Sequence, residues 1–318
     1  MPEAVRYAVL APDTKELLPL CLFLLGGGGR CEMLRDMQHL FDEWWAEGTL
    51  PLMVIATPTP DTTYYIEETS GSVRWESFLA LSFVPHIRSS VNFKDMNLLA
   101  GISGGGYGAL KLAFGRPELF RAVAVMHPML EPALRESDVS GRNRLHHSIG
   151  GPTALIGDQR DVAIWEHNNP ANRAGHNAKR IIEANLAIYL EAGDEDLVNA
   201  HDGTEFLHRV LWDLDISHEY HLVRGADHGG PTVRPRMRAL FAWLGNIAAP
   251  MPTEAGMEEA ASQWLQSGMQ GTPPSGATAT TAFVRFMRAR LEPGRARAAE
   301  TDASTNRRFG LLRNPSDG

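Results

Sequence analysis

Between Leu98 and Leu112 a short apolar run ends in Gly101-Ile102-Ser103-Gly104-Gly105 and passes directly into a helix-forming stretch. G-x-S-x-G at a strand-to-helix junction restricts the chain more than any other segment. The turn is so tight that its central residue is strained and its neighbours must be small. Gly101 and Gly105 supply positions without a side chain where one would collide. Such a turn belongs where a buried strand hands over to a helix packed on its sheet. The helix then points its N-terminus at Ser103, where developing negative charge is stabilised. A glycine-rich turn without chemistry is the bland alternative. The placement between strand and helix favours a nucleophilic serine.

The rest of the chain fits that junction. Apolar strand-like runs alternate with helical stretches, which predicts an α/β fold with a mostly parallel central sheet and helices on both faces. Strands are predicted at Val5–Leu10, Leu20–Leu25, Pro51–Thr57, Met96–Ala100, Ala122–Met126, Ala187–Glu191 and Glu219–Val223. Helices are predicted at Glu32–Glu47, Gly106–Phe114, near Thr204–Leu214 and at about Arg234–Ile247. Trp75–Ser89 also reads as a helix, with Pro85 expected to kink or end it.

Two regions leave this rhythm. Pro128–Arg180, rich in Asn, His, Gly and Pro, reads as an excursion above the sheet with short helices of its own. Residues 1–248 are expected to form the catalytic domain and 249–318 a tail. Within the tail, Gln266–Ala282 has no charged residue and reads as a flexible linker. Beyond it, Phe283, Phe286, Met287 and Leu291 fall at helical spacing among Arg285, Arg288 and Arg290, a short basic amphipathic segment.

Composition narrows the class further. The net charge of −8 argues against nucleic-acid binding, and no apolar run reaches the length of a membrane span. Glu3 precedes any apolar stretch, so a secretory leader is not expected. Cys21 and Cys31, without a CxxC spacing, read as reduced thiols of a cytoplasmic protein. Assembly into homo-oligomers is left open.

A serine nucleophile needs a base, and the base an orienting acid. His228 lies in Gly225-Ala226-Asp227-His228-Gly229-Gly230, just after a predicted strand and flanked by glycines that present rather than bury a side chain. His127 also ends a strand and is the rival base. Asp194-Glu195-Asp196 follows the strand at Ala187, at the same sheet edge. Asp196 is the favoured acid and Asp194 the alternative. The run Gly26-Gly27-Gly28-Gly29 after Leu25 lets backbone N–H groups approach a substrate oxygen. The oxyanion hole is assigned to the N–H groups of Gly27 and Gly104. A phosphate loop is disfavoured, because no Gly-Lys-Ser/Thr follows. His218-x-x-His221 and His146-His147 lack metal-site spacing, so neither a metal nor a cofactor is expected. Tyr64, Tyr65 and Trp165 are candidate pocket-lining groups, with Pro58–Ser72 and Pro128–Arg180 as pocket walls.

These motifs together resemble the putative-esterase family of α/β-hydrolases, which includes esterase D, S-formylglutathione hydrolase, enterochelin esterases and the mycolyltransferases. Leu24–Gly29 is similar to the family's Leu-Leu-His-Gly-Gly-Gly-Gly loop, with Leu25 in place of the His. Gly101–Leu110 is close to G-x-S-x-G-G-Y-G-A-L, and Arg116-Pro117-Glu118-Leu119-Phe120 matches the usual end of the elbow helix. Trp75–Phe78 with Val84–Ile87, the Gly193–Asp196 acid turn and the Gly225–His228 loop extend the likeness over about residues 5–247. The resemblance implies the α/β-hydrolase fold and a serine carboxylesterase acting on a small-molecule ester or thioester. An acyltransferase with the same triad and a non-catalytic binding protein on the same fold are the alternatives.

Overall fold

The computed structural model describes residues 5–60, 65–66, 74–90, 93–143, 162–249, 263–264 and 266–267. Among them seven strands form one sheet: β1 (Tyr7–Leu10), β2 (Leu18–Leu24), β3 (Val54–Pro58), β4 (Phe93–Ile102), β5 (Ala122–Met126), β6 (Ala187–Gly193) and β7 (Glu219–Val223). Their order is β1-β3-β2-β4-β5-β6-β7. Only the β1–β3 pairing is antiparallel; the other five are parallel. The chain therefore has a mostly parallel sheet with helices around it, as the alternation of runs predicts.

The inner strands β2, β3 and β5 are buried on both faces while the edge strands β1 and β7 are largely exposed, and strand periodicity sorts the buried side chains. Leu20, Leu22 and Leu24 of β2 join Leu99, Val123 and Val125 in one core, while Cys21, Phe23, Leu98, Ala100 and Ala124 fall in a second. The first core is covered by α3 (Trp75–Phe78), α4 (Val84–Ser90), α5 (Gly104–Gly115), α7 (Pro170–Glu183) and α8 (Ala200–Asp213). The second is covered by α1 (Glu32–Asp36), α2 (Gln38–Ala46) and α9 (Val233–Ala248). In the second, Phe41 meets Phe241 edge-on at 4.9 Å between ring centroids.

Two local expectations change. The stretch 32–47 is two helices, because the chain turns at Met37 between α1 and α2. Pro85 does not end its helix. A π-helical turn, Leu79–Phe83, widens the coil just before it, which accommodates a residue with no N–H and a bulky ring. Within the segment 128–180, residues 144–161 lie outside the described residues. α6 (Val162–Asn168) leads into α7, which is started by Asn169 accepting the N–H of Ala171 and by Pro170 in its first turn. Ala171, Ala174 and Ile181 of α7 are part of the core alongside α5.

Met1–Ala249 forms one compact unit, separate from the chain that follows. Of the linker expected at 266–282, Gln266 and Ser267 close a helical turn, with the Ser267 N–H donating to Gln263 O at 2.9 Å, while 268–282 and the basic amphipathic segment lie outside the described residues.

Candidate active site

The parallel strands end at one edge of the sheet, and the loops leaving β4, β5, β6 and β7 meet there. Ser103 leaves β4 with φ 54° and ψ −125°, a backbone region that side-chain-bearing residues rarely adopt. Its own hydrogen bonds hold it there. The Ser103 N–H donates to Met126 O (3.1 Å), and its carbonyl accepts from Gly106 (2.9 Å) and Met129 (3.1 Å). The two elbow glycines interlock with their surroundings: a methyl group at Gly101 would collide with the Gly105 carbonyl, and one at Gly105 with the Leu24 carbonyl. The strain is thus a product of β4 and α5 packing as closely as backbones can.

Ser103 Oγ lies 2.9 Å from His228 Nε2, and His228 Nδ1 lies 2.8 Å from Asp196 Oδ2. A carboxylate only accepts, so Nδ1 carries the proton and Nε2 turns its lone pair to the serine hydroxyl. The Asp196 side chain is fully buried and the His228 side chain 21% exposed. The second carboxylate oxygen of Asp196 accepts the Val198 N–H at 2.9 Å. Asp194 is turned elsewhere, accepting the Gly225 N–H at 2.6 Å and pairing with Arg224 at 3.1 Å.

Gly104 begins α5 directly after Ser103, at a position where a helix N–H has no intrahelical acceptor. The glycine run forms a turn closed by Gly29 N–H to Gly26 O at 3.0 Å, with Gly28 at φ 73°. Gly26 sits against Ser103, since a Cβ there would lie 2.8 Å from that of Ser103. Gly27 follows it at the exposed rim of the turn. Behind the run, the Tyr65 hydroxyl donates to Leu25 O at 3.0 Å. Tyr65 is 1% exposed and Trp165 donates its indole N–H to Leu134 O within a small buried cluster. Both are buried core groups; Tyr64 lies outside the described residues.

His127, the rival base, stands beside the site. Its ring is 4.2 Å from that of His228, and its Nδ1 accepts from Arg236 Nη2 at 3.1 Å. Burial, helped by the neighbouring His228 and the Arg236 guanidinium, drives its pKa down to about 2. The ring is therefore neutral. An unfolded chain would bind a proton there near pH 6.5, the folded chain not until about pH 2. The unfolded state holds more protons throughout that window, so stability falls as the pH is lowered, by up to about 1.4 kcal/mol per unit. We expect the urea midpoint of the wild type to drop between pH 7 and pH 5, and His127→Phe to lose part of that drop. Equal drops in the two proteins would show that the folded chain protonates His127.

Three further residues escaped the sequence reading. Asp227 Oδ1 accepts the N–H groups of Leu197 (2.9 Å) and His228 (2.6 Å), fastening the Asp196 loop to the His228 loop. These two bonds hold its carboxyl below the usual carboxylate range. Glu191 and Arg236 form an ion pair whose side chains are 2% and 5% exposed. One signal was available: Glu191 is a charge in a strand otherwise buried, and such a charge requires a partner.

His127, Asp196 and His228 bring three metal-type donors within 4.8 Å of one another. Their facing atoms are already committed, Asp196 to His228 and His127 to Arg236. His218 and His221 diverge, His218 to His208 at 2.8 Å and His221 onto the Tyr189 ring at 4.7 Å. His146 and His147 lie outside the described residues.

A family model described as "Putative esterase" matches residues 9–228. No curated protein matches the sequence. Among solved structures, an S-formylglutathione hydrolase from Agrobacterium tumefaciens is similar at 15% identity and a TM-score of 0.59, covering 77% of this chain and 90% of that one. MPT51 (FbpC1) from Mycobacterium tuberculosis shares 15% identity at a TM-score of 0.58, covering 77% and 93%. The serine hydrolase FphF from Staphylococcus aureus shares 17% identity at a TM-score of 0.55, covering 76% and 99%. These likenesses are of fold.

Proposed function

The chain belongs to the putative-esterase family, and from that premise we propose that it is a serine carboxylic ester hydrolase that cleaves a small ester or thioester through an acyl-enzyme on Ser103. One observation carries this reading: the unbroken line from Ser103 Oγ through His228 to Asp196, at 2.9 and 2.8 Å. Ser103 Oγ attacks the acyl carbon as its proton passes to His228 Nε2. The tetrahedral oxyanion is held by the N–H groups of Gly104 and Gly27. Asp196 keeps the imidazole in the required tautomer and balances the imidazolium that forms. His228 then protonates the leaving alcohol or thiol, and the acyl group stays on Ser103. In the second half a water molecule gives its proton to His228 and attacks the acyl carbon; the Ser103 Oγ–acyl bond then breaks as His228 returns that proton to Oγ, releasing the acid and the free serine. The buried free thiols Cys21 and Cys31 support a reducing, cytoplasmic setting.

Turnover of p-nitrophenyl acyl esters tests the reading, with release of nitrophenol and free acid expected. An acyl product that moves wholly to an added alcohol would favour transfer over hydrolysis. No turnover of any ester would sink both.

We place all the chemistry within residues 1–248, since the proposed groups run from Gly27 to His228. Truncation after Ala248 is therefore expected to leave kcat/KM within a few-fold of the full chain. A folded truncated protein without activity would make the tail part of the site. Among the described residues no helix is long and apolar enough to cross a membrane.

A further inference from the structure

Behind the proposed triad lies a buried ionic group with no part in the acyl-transfer steps. Arg236 on α9 makes a double contact with Glu191 at the end of β6, Nε at 3.1 Å from each carboxylate oxygen and Nη2 at 2.8 Å from Oε1. The remaining donors do not go to Glu191. Nη1 donates to the backbone carbonyl of Asp227 at 2.6 Å, and Nη2 to His127 Nδ1 at 3.1 Å. Asp227 directly precedes His228, and the His127 ring lies against the His228 ring at 4.2 Å with 38° between planes. His127 itself is held at φ 36° by its N–H to Glu191 O at 2.7 Å.

A buried ion pair is weak grounds for a stability role, since apolar residues of similar size often serve as well. The directions of the guanidinium's spare donors point elsewhere. The loop that carries His228 contains Gly225 at φ 69° and Gly230 at φ 80°, and glycines leave a backbone free to wander. A base that must meet Ser103 and Asp196 at once needs that freedom removed. We propose that Arg236 is a positioning residue for His228, fixing it through the Asp227 carbonyl that precedes it in the chain and through the His127 ring beside it. The inference rests on the Ser103–His228–Asp196 reading. Glu191 aims the guanidinium, and a neutral His127 adds no repulsion when His228 becomes an imidazolium.

Arg236→Lys separates position from charge. The ammonium still pairs with Glu191, but a single nitrogen cannot also span Asp227 and His127. Ser103 labelling by a fluorophosphonate, expressed as a rate constant per labelled site, reads nucleophile activation independently of how much protein is folded. We expect Arg236→Lys to lower this rate and kcat for a p-nitrophenyl ester together by roughly 10- to 100-fold, with KM within about three-fold. His127→Ala should show the same pattern to a smaller degree, and His127→Phe, which restores a ring beside His228, should recover part of the loss. If Arg236→Lys does not fold, the two His127 variants decide. Wild-type labelling rates per site in folded Arg236→Lys, or in His127→Ala should the lysine variant not fold, would overturn the proposal. Absence of any label on Ser103 in the wild type would instead overturn the functional reading beneath it.

Discussion

Ser103→Ala is expected to lower kcat/KM for ester hydrolysis by about 10⁴- to 10⁶-fold, the range seen when a triad nucleophile is removed. The fold should be unaffected. Serine already pays the steric cost of φ 54°, and alanine pays the same cost with the same Cβ. The bonds that set the elbow run through the Ser103 backbone to Met126, Gly106 and Met129, and none uses the hydroxyl. The variant should therefore melt within a few degrees of the wild type while turning over almost nothing. Near-normal turnover in pure, folded Ser103→Ala would mean that another group attacks the ester.

The second large effect separates two carboxylates that sit two residues apart. Asp196→Asn should cost about 10⁴-fold in kcat, because an amide facing His228 Nδ1 favours the wrong imidazole tautomer. Asp194→Asn should cost less than about three-fold. Its amide oxygen can still accept the Gly225 N–H, and the lost partner is Arg224, whose side chain is 88% exposed. Steady-state kinetics on the two variants settle the order, and the reverse order would transfer the role of acid to Asp194.

The residues that the sequence makes legible are those whose signal is local. The Ser103 elbow can be read because its glycines, strand and helix are contiguous. His228 and Asp196 can be read because each follows a strand end, and parallel strands deliver their C-terminal loops to one edge. The sequence could not decide between Asp196 and Asp194, since that depends on which carboxylate the turn points inward. Helix α7 was hidden because its buried stripe is mainly Ala171, Ala174 and Ile181 among Asn, His and Arg, too weakly apolar to stand out. Pro85 misled because a π turn can absorb a proline that an unbroken α-helix would not. The contact of Arg236 and Glu191 with His127, which the sequence offers only as a rival base, was invisible for a different reason. These residues lie on α9, β6 and the end of β5, and only the folded sheet brings them together behind the base. Asp227 was adjacent to His228 throughout, yet its work is to accept an N–H from Leu197, 30 residues away.

The central claim is that Ser103 is the nucleophile and that His228 activates it. Its most direct test is covalent. A fluorophosphonate incubated with the full chain, followed by proteolysis and mass spectrometry, should add one phosphonyl group per chain on the peptide that contains Ser103. Ser103→Ala should remain unlabelled, and His228→Ala should label far more slowly than the wild type. Label on a different serine, or label on Ser103 at an undiminished rate without His228, would contradict the account.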